Sequence, residues 1–97
     1  MTKKYGVMLE GRGFLLDMKG SVQKYGFFTT RYIEADSPEQ AEIRAVQLIR
    51  QDKLIKSAAK NEGSRPMIYV DSITELKSFE GSRRPGTRYR FFPDTSD

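Results

Sequence analysis

The part of this chain whose residue types could do chemistry most directly is residues 81–93, GSRRPGTRYRFFP. It contains no acidic residue, and its basic residues are Arg83, Arg84, Arg88 and Arg90. Guanidinium groups neutralise phosphates and aromatic rings stack on unpaired bases, so this segment could form a nucleic-acid-binding strip. The net charge of the chain is +4. The four arginines can therefore account for the whole basic excess.

The same segment also fits the last strand of a sheet. With a period of two residues, Arg88 and Arg90 point to one side, whereas Tyr89 and Phe91 point to the other. Exposed cations on an edge strand also discourage pairing with other chains. This pattern favours a final edge strand over an open basic tail, and phosphate binding by the arginines stays as the alternative.

Other reactive residues are sparse. The chain has no cysteine and no histidine, which excludes disulfides, thiolate chemistry, zinc sites of the usual ligand types and Ser–His catalysis. A carboxylate site for Mg²⁺ or Ca²⁺ stays open in principle, but its ligands must converge. The candidate carboxylates are spread along the chain: Glu10, Asp17, Glu34, Asp36, Asp71 and Glu75. We therefore predict no enzymatic activity, no cofactor and no bound metal.

Thr29, Thr30 and Arg31 could be read as a phosphate-binding group. Threonine inside a strand has high strand propensity, and Arg31 could pair with Glu34 or Glu10 across a sheet. The strand interpretation is favoured.

Alternation and turn residues predict the strands around these groups. Residues 4–18 read as a hairpin with its turn at 10–13, because Gly11 and Gly13 can adopt positive φ. After a second turn at 19–21, residues 22–35 form a long strand with two apolar faces, Phe27 and Ile33 on one and Phe28 and Tyr32 on the other. A later strand over 67–79 loses its alternation near Asp71, which predicts a β-bulge there.

The clearest local signal is a helix start. Asp36 or Ser37 can cap the helix, Pro38 suits its first position, and Ser37 and Gln40 have capping-box spacing. An apolar stripe follows, with a pause at Asp52 and a shorter helical stretch beyond it. The chain is thus predicted to be an α+β domain of residues 1–93, β-β-β-α-β-β, with 94–97 as a frayed tail. Its sheet of four or five strands is mostly antiparallel, with one main helix packed on one face.

Surplus apolar surface suggests a partner, because one helix covers one face of a sheet. Something else must then cover the second face, either the C-terminal segment or a second copy of the protein. We predict a self-associating or protein-binding module with candidate interface residues Phe27, Ile33, Tyr89 and Phe91. A monomer whose tail covers this face, or a nucleic-acid-binding domain, are the alternatives.

The run GFFTTRYIEADSPEQAE at 26–42, with PMIYVDSITEL at 66–76, resembles a group of small bacterial proteins with no assigned activity. These carry a Gly-Phe-aromatic-Thr-Thr-Arg-aromatic strand before a capped helix. The resemblance covers most of the chain and implies a single compact bacterial domain. The absence of a signal peptide and of a long apolar run predicts a cytoplasmic protein.

Overall fold

In the computed structural model, which describes residues 2–18, 20–60, 66–79 and 89–94, two long strands precede the helices and two shorter ones follow. The elements are β1 (Lys3–Met18), β2 (Ser21–Ala35), α1 (Pro38–Gln51), α2 (Lys53–Lys60), β3 (Met67–Leu76) and β4 (Arg90–Pro93). The strands form an antiparallel sheet in the order β3-β1-β2-β4. The predicted α+β class and the helical layer on one face of the sheet are confirmed.

The predicted hairpin within residues 4–18 is wrong, because β1 runs through it as a single strand. The register against β2 shifts between Gly11 and Phe14, so the extra residue is accommodated as a bulge. Gly13 has a φ of 76°, which a bulge can use as readily as a turn does. The predicted turn at 19–21 is correct, since Met18 pairs with Ser21 and Gly20 lies between them with a φ of 84°.

Alternation along β1 and β2 divides the sheet into two faces. The covered face, which packs against α1 and α2, carries the buried side chains Tyr5, Val7, Leu9, Phe14 and Leu16 of β1 with Phe27, Thr29, Arg31 and Ile33 of β2. The open face carries the alternate residues of the same strands and of β3 and β4. The bulge in β1 keeps Phe14 and Leu16 on the same face as Tyr5, Val7 and Leu9.

The helix start is as predicted, and Ser37 rather than Asp36 is its N-cap. Ser37 Oγ accepts a hydrogen bond from the Gln40 backbone N–H at 3.2 Å, while Gln40 Oε1 accepts one from the Asp36 N–H at 3.1 Å. The predicted pause at Asp52 separates α1 from α2. Helix α1 then buries Ala41, Ala45 and Ile49 against the covered face.

The predicted bulge in β3 is also confirmed. Met8 pairs with Ser72 and Leu9 pairs with Val70, which leaves Asp71 as the extra residue. Because of this bulge Ile68, Val70 and Ile73 all pack against the core.

Residue 94 does not belong to a frayed tail, contrary to the prediction. Asp94 is buried, and its carboxylate accepts hydrogen bonds from the Gly13 N–H at 2.9 Å and from Arg12 Nη1 at 3.5 Å. Its own N–H donates to the Lys24 carbonyl at 2.9 Å. The bulge in β1 exposes a backbone donor that a carboxylate can bind, so β4 is anchored at its end. Residues 95–97 lie outside the described residues.

Candidate functional site

The open face of the sheet is an unusual surface of the described chain, because it exposes several large apolar side chains. Met8, Phe28 and Tyr69 are 45%, 41% and 46% exposed, although they lie on three adjacent strands. Met67 at the start of β3 is also exposed, and its sulfur accepts a hydrogen bond from the Tyr69 hydroxyl at 3.1 Å. Exposed apolar groups that cluster on one face are typical of an interaction surface.

One row of residues runs straight across this face. Glu10 in β1 pairs with Tyr69 of β3 on one side and with Phe28 of β2 on the other, and Phe28 in turn pairs with Arg90 of β4. A carboxylate thus lies between two aromatic residues in the middle of the sheet. We call Met8, Phe28, Tyr69 and Met67 the apolar patch.

Electrostatic contacts beside the patch fix the position of Arg12. Its Nε donates to Glu10 Oε2 at 2.5 Å, and its guanidinium lies 5.0 Å from the centre of the Phe92 ring. The hydrogen bond to Glu10, together with the charges of Glu10 and Asp94, raises the pKa of Arg12. Phe92 also contacts Phe28, with 5.1 Å between ring centres. These contacts join β1, β2 and β4 into one continuous surface.

The other end of the open face is partly covered. Phe79, just after β3, is buried and its ring lies 6.1 Å from that of Tyr32 in an edge-to-face arrangement. The chain itself therefore shields Tyr32, and the apolar patch is left at the opposite end of the sheet.

The predicted interface residues lie on the covered face. Phe27 and Ile33 are buried in the core, and Tyr89 and Phe91 are half-buried against it. The Tyr89 and Phe91 rings lie 5.0 and 6.0 Å from the ring of Phe27, so β4 covers its own sheet. This burial leaves Phe27 and Ile33 without surface for a partner, and the open-face residues replace them as the candidate interface.

The predicted edge strand is found at β4, with Arg90 on the open face beside Phe28 and with Tyr89 and Phe91 on the other side. Arg90 is exposed. The other candidate phosphate-binding residues, Arg83, Arg84 and Arg88, lie outside the described residues. Arg90 is thus the one candidate of this group that the structure places, and it lies at the edge of the open face.

The candidate carboxylates are engaged separately. Glu10 binds Arg12, Glu75 lies 3.8 Å from Lys3 Nζ, and Glu34 accepts a hydrogen bond from Thr2. Among the described residues no three acidic side chains come together in a group that could hold a metal ion.

Sequence reasoning missed a buried polar group on the covered face. Arg31 is 3% exposed and points away from both Glu10 and Glu34, contrary to the predicted ion pairs. Its Nη1 donates to Thr29 Oγ1 at 2.6 Å and to the Thr30 carbonyl at 3.3 Å, and its guanidinium lies 4.9 Å from the centre of the Tyr89 ring. The position of Arg31 in phase with Phe27 and Ile33 was the signal that could have placed it in the core.

Tyr89 packs against the buried Arg31 guanidinium. Its hydroxyl is buried and lies near Arg31 and Asp52, but it forms no hydrogen bond of good geometry with the described residues. Burial raises the pKa of Tyr89 to about 12, an effect that the positive charge of Arg31 opposes and the negative charge of Asp52 reinforces. The ring therefore shields the guanidinium, while its own hydroxyl is poorly hydrogen-bonded by the described part of the chain.

Neither helix of the described chain is long and apolar enough to cross a membrane. No protein-family model, no curated protein and no solved structure matches the sequence or the fold. The resemblance to small bacterial proteins stays a prediction, and the function proposed next is supported by geometry alone.

Proposed function

We propose that this protein is a small, non-enzymatic interaction module that associates with a second copy of itself through the open face of its sheet. The observation that carries the proposal is the exposure of Met8, Phe28 and Tyr69 on three adjacent strands. Burying apolar surface is worth roughly 25 cal/mol per Å², so a second sheet packed on this face would stabilise both copies.

The arrangement of the strands suits a two-fold dimer, in which the same surface of both copies meets. In a face-to-face pair, an axis along the strands between β1 and β2 would place β3 of one copy over β4 of the other. Tyr69 would then lie opposite Arg90, because both belong to the row that contains Glu10 and Phe28. A guanidinium over a tyrosine ring is a favourable contact.

The charge in the middle of the face is compatible with burial in a dimer. Glu10 is already paired with Arg12 within its own chain. A paired carboxylate is less costly to remove from water than an isolated one, which would have to find a new partner across the interface.

The test compares two substitutions of exposed apolar residues on opposite sides of the domain. Light scattering at micromolar protein concentration should give the mass of a dimer for the unmodified chain and of a monomer for Phe28→Lys. Ile43 on α1 is 58% exposed and lies on the helical side, so Ile43→Lys should leave the dimer intact. Circular dichroism establishes that each variant is folded.

A monomer at all concentrations of the unmodified chain would overturn this proposal. Equal loss of the dimer in Phe28→Lys and Ile43→Lys would also contradict it, because association would then not depend on the open face.

A second candidate function is the binding of single-stranded nucleic acid on the same face. The observation that favours it is the placement of Arg90 beside Phe28 and of Arg12 over Phe92, since cations next to exposed rings suit phosphates and stacked bases.

Fluorescence anisotropy with a labelled oligothymidylate tests this candidate. It should reveal binding at low salt, and the binding free energy should weaken by about 1–3 kcal/mol in Phe28→Ala. Arg90→Ala should reduce the steepness of the salt dependence by about 0.7. Absence of binding at low salt would exclude this candidate.

A further inference from the structure

The cleft between α2 and the start of β3 combines an apolar floor with a positively charged rim. It has a volume of about 670 Å³, and its floor is formed by Phe14, Ile55 and Ile68. Phe14 and Ile55 are 1% and 2% exposed, so they are held in place by the core. A volume of roughly 300–1,000 Å³ is typical of sites for small molecules.

Two cations line the rim of this cleft, Arg50 at the end of α1 and Lys56 in the middle of α2. Both side chains are exposed, and neither forms an ion pair or a side-chain hydrogen bond within the described part of the chain. Arg50 suits the last turn of a helix, where the macrodipole favours a cation. No such role explains Lys56, whose charge lies over an apolar floor.

The described lining combines apolar side chains with two cations. Charge complementarity therefore favours an anionic group at the rim, and a carboxylate can be held by one or two cations. The apolar floor in turn requires an apolar body.

We propose that this cleft binds a small amphiphilic carboxylate, with its apolar chain on Phe14, Ile55 and Ile68 and its carboxylate between Arg50 and Lys56. The floor and the charged rim of the site lie on the helical side of the sheet, away from Met8 and Phe28, whereas Met67 of the apolar patch lies at the mouth shared by both surfaces. A substitution at Phe28 should therefore affect self-association without changing the floor or the rim of the cleft.

Decanoate, used below the concentration at which it aggregates, is a suitable probe. The chain contains six isoleucines, and of these Ile55 and Ile68 line the cleft. In methyl NMR spectra of the full chain, decanoate should shift the Ile55 and Ile68 signals saturably and leave Ile43 in place. Decyltrimethylammonium, which has the same chain length and the opposite charge, should not.

Two double variants test whether binding depends on the two cations at the rim of the cleft or on the net charge of the protein. Arg50→Gln with Lys56→Gln should weaken decanoate binding on the order of tenfold or more, since a charge-assisted hydrogen bond is lost at each position. Lys53→Gln with Lys77→Gln, which removes two exposed cations outside the lining, should leave the affinity unchanged. Phe28→Lys should also leave it unchanged, which distinguishes this site from the proposed dimer interface.

Three results would overturn the proposal. These are the absence of saturable shifts at Ile55 and Ile68, equal binding of decyltrimethylammonium, and full affinity in the Arg50→Gln, Lys56→Gln variant.

Discussion

Each face of the sheet carries side chains that are unusual for its surroundings. The covered face buries a guanidinium, Arg31, whereas the open face exposes Phe28 and Tyr69 to solvent. Phe27 and Phe28 are neighbours in sequence and identical in chemistry, yet one is fully buried and the other is 41% exposed. Alternation along a strand therefore separates the two sets of side chains, but what covers each face depends on the rest of the chain.

The buried guanidinium and the exposed apolar side chains differ in how far the rest of the chain stabilises them. Arg31 is stabilised by Thr29, by the Thr30 carbonyl and by the Tyr89 ring, so its buried charge keeps polar and aromatic neighbours. On the open face, Phe79 covers Tyr32 and Phe92 packs beside Phe28, but Met8, Phe28 and Tyr69 stay exposed. The unusual group inside the core is thus compensated within the chain, whereas the exposed apolar groups at the surface are the basis of the proposed self-association.

The largest expected difference between the faces is in the free energy of unfolding, when each of the two adjacent phenylalanines is replaced by alanine. Phe27→Ala should lower the free energy of unfolding by about 3–5 kcal/mol, because the ring contacts Phe14, Tyr89 and Phe91 and would leave a cavity. Phe28→Ala should lower it by about 1 kcal/mol, since Phe28 is 41% exposed and its ring lies at the surface. Urea unfolding at low protein concentration, where self-association does not contribute, measures both.

Phe27→Leu serves where Phe27→Ala does not fold, and it should still cost more than Phe28→Leu. If the substitutions at positions 27 and 28 cost the same, the assignment of the two faces would be incorrect.

The strand β4 contributes to both faces, and Asp94 holds its end. Asp94→Ala should lower the free energy of unfolding by about 1–3 kcal/mol, because the Gly13 N–H loses its acceptor. Asp94→Asn keeps an acceptor of similar shape and should cost less. Hydrogen exchange should reveal faster opening of β4 in Asp94→Ala, with little change in α1, and equal acceleration in both elements would contradict a local anchor.

The elements were largely predictable from the sequence, because their signals are local. Ser37, Pro38 and Gln40 begin α1 through contacts within a few residues, and the lost alternation at Asp71 identified the bulge in β3. The run at 10–13 was misassigned because glycine with positive φ suits both a turn and a bulge, and pairing with β2 decides between them.

The site was less predictable, because it depends on contacts distant in sequence. Alternation placed Phe28 and Tyr32 together on one face, but the sequence does not say that α1 packs on the opposite one. The burial of Arg31 depends on Tyr89, which lies just before β4 and 58 positions later in the chain. Likewise the role of Asp94 depends on a bulge that forms only when β1 pairs with β2.

The smallest expected effect concerns Tyr89, whose buried hydroxyl forms no hydrogen bond of good geometry with the described residues. Tyr89→Phe keeps the ring over Arg31 and should raise the free energy of unfolding near neutral pH by up to about 1 kcal/mol, because a buried polar atom without a partner is removed. Lower stability of Tyr89→Phe at pH 8 would contradict this, since it would mean that the hydroxyl has a partner.

The advantage of Tyr89→Phe should grow at high pH. Burial raises the pKa of Tyr89 to about 12 in the folded protein, from an ordinary value of 10. The unfolded chain therefore loses this proton first, so the free energy of unfolding of the unmodified protein is unaffected by this group below about pH 10 and falls as the pH rises from 10 toward 12. The other four tyrosines are present in both proteins, so the comparison isolates Tyr89. Urea unfolding at pH 8 and pH 11 should thus give a larger difference at pH 11, and an equal difference at both would show that the Tyr89 hydroxyl is solvated rather than buried.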